Sequence, residues 1–128
     1  PNSIAQKAAL EALVGPQDAI AAMRKEFDAR RKYSFERVRN MPHVDCIEPK
    51  GAFYVFVDVS KVQDMKYKGE KVETAAKMAD ILLNEFNVAV IPCADFGFAD
   101  HIRLSYAISM EKKKKGLDRI EDFLNTLE

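Results

Sequence analysis

The stretch from Val88 to Ala107 constrains the fold of this chain more tightly than any other, because it reads as strand, loop, strand around a single arginine. Val88 to Ile91 is apolar and β-branched and stops at Pro92. A loop from Cys93 to Asp100 follows, and the chain extends again from Ile102 to Ala107. In that second strand Ile102, Leu104 and Tyr106 point one way, while Arg103, Ser105 and Ala107 point the other, since strand side chains alternate between faces. An arginine in mid-strand with apolar neighbours is held firmly and partly dry. Its planar fork suits bidentate capture of a carboxylate. Pairing with a local acid, Asp95 or Asp100, is the structural alternative, and spacing alone leaves the two readings evenly balanced.

The flanking segments decide what surrounds those strands. A capping box, Ser3 as N-cap with Gln6 three residues on, opens a helix with Ile4, Ala8, Ala9, Leu10 and Leu13 at helical spacing, ended by Gly15-Pro16. A longer helix follows. Ile20, Met23, Phe27, Phe35 and Val38 trace its apolar stripe, Arg24, Lys25, Arg30, Arg31 and Arg37 lie largely off it, and Asn40-Met41-Pro42 stops it. Val44 to Ile47 reads as a short strand, Glu48 to Gly51 as a turn, and Ala52 to Val59 as a buried strand. Ser60 to Gly69 is a lysine-rich loop. Ala75, Ala79, Leu82 and Phe86 mark a third helix closed by Asn87. Ser109 caps a fourth, with Glu111 in its first turn and Leu117, Ile120, Leu124 and Leu127 on its inner face.

Strands and helices mixed in this order predict an α/β chain of the α+β type: a small, mostly antiparallel or mixed sheet of about four strands with helices packed against it. The 128 residues suit one domain with a real core. Twenty basic and twenty acidic side chains cancel, so no net field recruits nucleic acid or an anionic membrane. Lys112 to Lys115 reads as the solvated face of a helix start. No uncharged run is long enough to span a bilayer, and no basic-then-apolar leader opens the chain, so the expectation is a cytoplasmic protein. Cys46 and Cys93 read as free thiols. Neither they nor His43 and His101 stand at metal-ligand spacing, so no metal site is expected. Glycine-rich phosphate loops, GxSxG elbows and HExxH motifs are absent.

Three segments carry a resemblance. Val90 and Pro92, then Phe96-Gly97, then Arg103-Leu104-Ser105-Tyr106-Ala107 are similar to the C-terminal region of class I and II aminotransferases. Pro49-Lys50-Gly51-Ala52-Phe53-Tyr54 resembles that family's P-x-G-[AG]-F-Y strand. Asn2 to Gln6 followed by Ala8-Ala9-Leu10 resembles the helix linking its large and small domains. The resemblance, closest to the aspartate aminotransferases, implies the small-domain fold of fold-type I pyridoxal-phosphate enzymes. Residues 1–15 would be a remnant of the interdomain linker helix and 16–128 the C-terminal small domain. Arg103 would grip the α-carboxylate of an amino-acid or 2-oxo-acid substrate.

The same resemblance implies pyridoxal 5'-phosphate in the full-length protein, on a lysine upstream of Pro1. That leaves no catalytic or cofactor-binding residue in this chain and no activity from it alone. A large N-terminal domain would be its partner, in a homodimer serving amino-acid metabolism. Family members place glycine after the proline of V-x-P where Cys93 stands here, and a positive φ at that position would strain a cysteine. Two other readings remain open: a stand-alone α+β module that binds a small anion, and a related pyridoxal-phosphate enzyme such as a decarboxylase, synthase or β-lyase.

Overall fold

The computed structural model describes residues 1–128. The chain runs α1 (Ser3–Val14), α2 (Asp18–Arg39), β1 (Asp45–Cys46), β2 (Tyr54–Asp58), β3 (Lys66–Tyr67), β4 (Glu70–Lys71), α3 (Ala75–Phe86), β5 (Ile91–Pro92), β6 (His101–Ser105) and α4 (Met110–Asn125). Short 3-10 turns occupy Ser60–Asp64 and Ala94–Phe96. No helix is long and apolar enough to cross a membrane.

The main sheet has four strands in the order β1-β2-β6-β5, every pair antiparallel. Its edges are two-residue strands, and one of them contains Pro92, which has no N–H to offer a further strand. The central pair sets the register. Val55 lies opposite Leu104 and Val57 opposite Ile102, while Tyr54, Phe56 and Asp58 oppose Ser105, Arg103 and His101. Alternation therefore sorts the pair into two faces. Val55, Val57 and Ile102 are buried and join Val38 of α2, Met78 and Leu82 of α3, and Leu117, Ile120, Phe123 and Leu124 of α4 in one core. The opposite face, carrying Tyr54, Phe56, His101 and Arg103, is only partly covered.

Local chemistry fixes the helix ends. The Thr74 hydroxyl accepts from Lys77 N at 3.1 Å, and the Ser109 hydroxyl accepts from Lys112 N at 3.3 Å. Asn87 ends α3 in the left-handed region at φ 54°. The first helix departs from expectation by one residue. Asn2, not Ser3, is its N-cap, and the Asn2 side chain accepts from Ile4 N (2.8 Å) and Ala5 N (3.3 Å). An asparagine carbonyl reaches the N2 and N3 amides as a serine hydroxyl does, so the capping-box spacing fits either start.

Four further expectations are corrected. Of the strand placed at Val88 to Ile91, only Ile91 is paired in the ladder, which runs on to Pro92. Val88 N instead donates to Leu82 O, prolonging the end of α3, while Val88 and Val90 still pack against the core. Ser60 to Gly69 is not a plain loop. It holds a 3-10 turn and the first strand of a second, two-stranded sheet, in which Tyr67 opposes Glu70 across Lys68-Gly69. Both of those turn residues have positive φ, 52° and 84°, the geometry a tight hairpin of this hand requires. Next, α2 is buried only toward its C-terminal end, at Ser34 and Val38, while Ile20 and Met23 of the stripe stay exposed.

Lys113, finally, is not solvated. It is 4% exposed, and its ammonium donates to Ser105 O at 3.2 Å beside the Tyr106 ring. A long aliphatic stem lets a lysine lie on the buried side of a helix and still bring its nitrogen to a carbonyl.

Candidate functional site

Arg103 sits at the centre of β6, opposite Phe56 on one side and Ile91 on the other. Neither local acid pairs with it. No carboxylate lies within salt-bridge reach of its guanidinium, and Asp100 instead accepts from Gln63 Nε2 at 3.1 Å. The Arg103 Nε is buried without a hydrogen-bond partner. Aromatic rings surround the cation instead. Its central carbon lies 3.8 Å from the centroid of Phe96 and 5.0 Å from that of Tyr54. Contacts of this kind steady a guanidinium through its faces and leave its N–H edge free for a ligand.

The loop beneath is closely bonded. Cys93 N donates to His101 O (2.9 Å), and Cys93 O accepts from both Phe96 N and Phe98 N (3.0 Å each). The left-handed residue of this loop is Gly97, at φ 84°, whereas Cys93 has an ordinary φ of −110°. Cysteine after the proline is therefore unstrained. Its thiol is fully buried behind the arginine. Burial pushes the Cys93 thiol up, and the neighbouring Arg103 charge opposes that rise. Cys46 is half-buried, and burial, then the Asp45 charge, push its thiol up to about 11. Both thiols are free.

His101, two residues before Arg103 on the same face, stacks on Phe56 at 4.4 Å, with Phe98 edge-on to both rings. It stands beside Asp58 in the sheet register. Burial alone would raise the Asp58 carboxyl, but the hydrogen bond from Ser60 N at 2.8 Å and the His101 and Lys61 charges hold it below its usual value. His43 is exposed in the turn after α2, far from this cluster in sequence. A groove of about 530 Å³ between α2 and the Lys50–Ala52 turn is lined by Arg24, Lys25 and Arg31 but does not include Arg103.

The far end of β6 is pinned as well. Tyr106 donates its hydroxyl to Ala52 O at 2.9 Å, and its N–H to Phe53 O at 2.8 Å. The sequence singled out Arg103 as a candidate and Phe96-Gly97 as a motif, and the structure brings the two together. The aromatic cradle was not legible in the sequence, since Tyr54 and Phe96 come from segments joined only by the sheet and its loop.

The class of domain defined here is a mixed α/β one: an antiparallel sheet backed by helices, with an arginine free of carboxylate partners on its open face. Residues 2–120 match the family described as aminotransferase class I and II, and the chain belongs to that family. It is 35% identical over 124 residues to an aspartate aminotransferase of Geobacillus stearothermophilus, covering 97% of this chain and 30% of that protein. A probable aspartate/prephenate aminotransferase of Rickettsia felis is 38% identical over 122 residues, covering 94% and 30%. The fold superimposes on the crystal structure of the aspartate aminotransferase from Rhizobium meliloti with a TM-score of 0.93 at 33% identity, over 100% of this chain and 32% of that one. The chain thus spans about a third of the length of the relatives it matches.

Proposed function

We propose that this chain is the substrate-carboxylate-binding domain of a pyridoxal-phosphate aminotransferase acting on aspartate, with Arg103 as the carboxylate clamp. One observation carries the proposal: a strand-mounted arginine with a buried, unpartnered Nε and no carboxylate of this chain within salt-bridge reach. Partly buried charges are ordinarily paired, so an arginine left without an acid is suited to an anion from outside. The names of the relatives support the reaction and the choice of aspartate. The absence of any buried residue in α1, and its break at Gly15 before α2, support reading residues 1–15 as a linker to a further domain and 16–128 as the domain proper.

The residues of this chain do not fit the cofactor itself. A buried lysine with a depressed pKa is the kind that reacts with a carbonyl, and Lys113, pushed down to about 8 by burial and by Arg30, is such a lysine. Its nitrogen is engaged by Ser105 O, and the adjoining cavity is only about 80 Å³. A cavity of about 150 Å³ is needed to take one benzene ring. Lys113 is therefore no seat for a substituted pyridine, and the proposal leaves the cofactor to residues outside this chain.

Pyridoxal phosphate, when bound, supplies an electron sink for the substrate's α-carbon. This chain contributes orientation. Arg103 takes the α-carboxylate through two parallel N–H bonds, fixing the α-carbon in place and restricting rotation about the bond to it. Mounting that fork on a central strand keeps it from wandering by the ångström that would spoil the alignment.

The test is a titration of the full-length protein with L-aspartate, following cofactor absorbance in wild type and Arg103→Ala. Loss of a buried charge-assisted pair costs about 2–5 kcal/mol. The variant is therefore expected to need on the order of 30- to several-thousandfold more substrate. Equal titrations would make Arg103 a structural residue and end the proposal.

A further inference from the structure

Phe96 is half-exposed at 52%, outside the buried core, yet the backbone around it is bonded as closely as a core turn. Phe96 N donates to Cys93 O, Gly97 N donates to Ala94 O at 2.9 Å, and Gly97 takes the left-handed φ that turns the chain back toward β6. Hydrophobic burial does not explain such an arrangement, because half of the ring remains in water. What the turn does is lay the ring on the guanidinium of Arg103 at 3.8 Å, well inside the roughly 6 Å reach of a cation–π contact.

Building on the reading of Arg103 as a carboxylate clamp, we infer that Phe96 is its positioning residue: by stacking on the guanidinium it sets the plane in which the fork meets the substrate. An arginine held only by its stem rotates about its terminal torsions and offers an incoming carboxylate either face or edge. A bidentate pair forms only at the edge. Phe96 lies over one face at 3.8 Å, Tyr54 lies near the cation at 5.0 Å and Nε is buried, which leaves the terminal nitrogens of the fork to a carboxylate. With that orientation fixed before binding, less rotational freedom is lost when substrate arrives. The Phe96 ring touches neither the α-carbon nor the cofactor in this scheme and acts through Arg103 alone.

The same loop supplies an internal control. Phe98 is exposed to the same degree, 53%, but its ring packs on Phe56 and His101 and makes no contact of this kind with Arg103. Phe96→Leu and Phe98→Leu thus remove equally exposed rings from one turn, and neither ring belongs to the core cluster, so both variants are expected to fold.

Three readings on the full-length protein test the inference: the Arg103 Nε–H resonance by NMR, the dissociation constant of succinate as a non-reacting dicarboxylate, and the division of any kinetic loss between KM and kcat. In Phe96→Leu the Nε–H signal is expected to lose the ring-current displacement given by a stacked phenyl group. Succinate affinity should fall about tenfold, the scale of a partly desolvated cation–π contact, with the kinetic loss mainly in KM. Phe96→Tyr should restore all three, and Phe98→Leu should leave them at wild-type values. If Arg103→Ala weakens succinate but Phe96→Leu leaves both affinity and the Nε–H signal unchanged, the positioning role is overturned and the clamp survives. If Arg103→Ala binds succinate as wild type does, the clamp reading and the inference built on it fall together.

Discussion

The two faces of the central strand pair are made by the same alternation and serve opposite ends. On one, Val55, Val57 and Ile102 disappear beneath three helices. On the other, Tyr54, Phe56, His101 and Arg103 stay partly open, arranged as aromatic rings around a cation. The covered face holds the strand in place by its apolar area. The open face uses that fixed backbone to aim one charged group. The difference shows that an arginine in a β-strand need not be neutralised from within its own domain, provided the strand is anchored from behind and aromatic rings lie against the guanidinium.

Substitutions on the two faces should separate stability from binding. Ile102→Ala on the covered face removes a side chain that is 1% exposed and is expected to cost about 2–5 kcal/mol of unfolding free energy, measured by urea denaturation. A loss below about 1 kcal/mol would mean that the core closes over the gap or that the sheet is held from its open side.

Lys113 is the exception on the helix side, a cation where apolar residues prevail. Because its folded pKa of about 8 lies below the ordinary lysine value, the unfolded state binds the extra proton between those two pH values. Stability of the wild type therefore rises with pH from about 8 to about 10.5, and the full cost of burying the charge is present below pH 8. Lys113→Met is expected to stabilise the protein by about 1–3 kcal/mol at pH 7, with the advantage shrinking over that window. A pH-independent difference would show that the lysine is charged without penalty. The smallest effect belongs to the open face: Arg103→Leu should change stability by less than about 1 kcal/mol, since no ion pair is broken, while carboxylate binding is lost. A large destabilisation would recast Arg103 as part of the scaffold.

Much of this was legible from residue order. The strand placed at Ile102 to Ala107 and found at His101–Ser105, the arginine within it, the last two helices with the Ser109 cap, and a mostly antiparallel sheet all follow from period and punctuation. What escaped depends on partners distant in sequence or on very short elements. The hairpin at Lys66–Lys71 has strands of two residues, too short for any periodicity, and its one local sign was Lys68-Gly69 at the turn. Val88 and Val90 of the apolar run pack on the core without a ladder, because apolar composition reports burial but not hydrogen bonding. A run of four lysines concealed one that points inward, since position on the helix, not composition, decides which member faces the sheet.

The pairing of β2 with β6 also bears on how the protein folds. Ser105 Oγ and Phe53 O, in contact at the end of that ladder, are 52 residues apart along the chain. Between them lie the small hairpin, a whole helix and the loop that carries Phe96. Each of these can begin to form locally, whereas the central ladder must wait for a long segment of chain to close, with the entropy loss that closure entails. The arginine therefore lacks Tyr54 and Phe56 beside it in a locally structured intermediate, where only β5 and the Phe96 loop can already flank it. Under the proposed clamp role, anion recognition should emerge late and together with global cooperativity, and a ligand that grips Arg103 would select the finished native state and slow its unfolding.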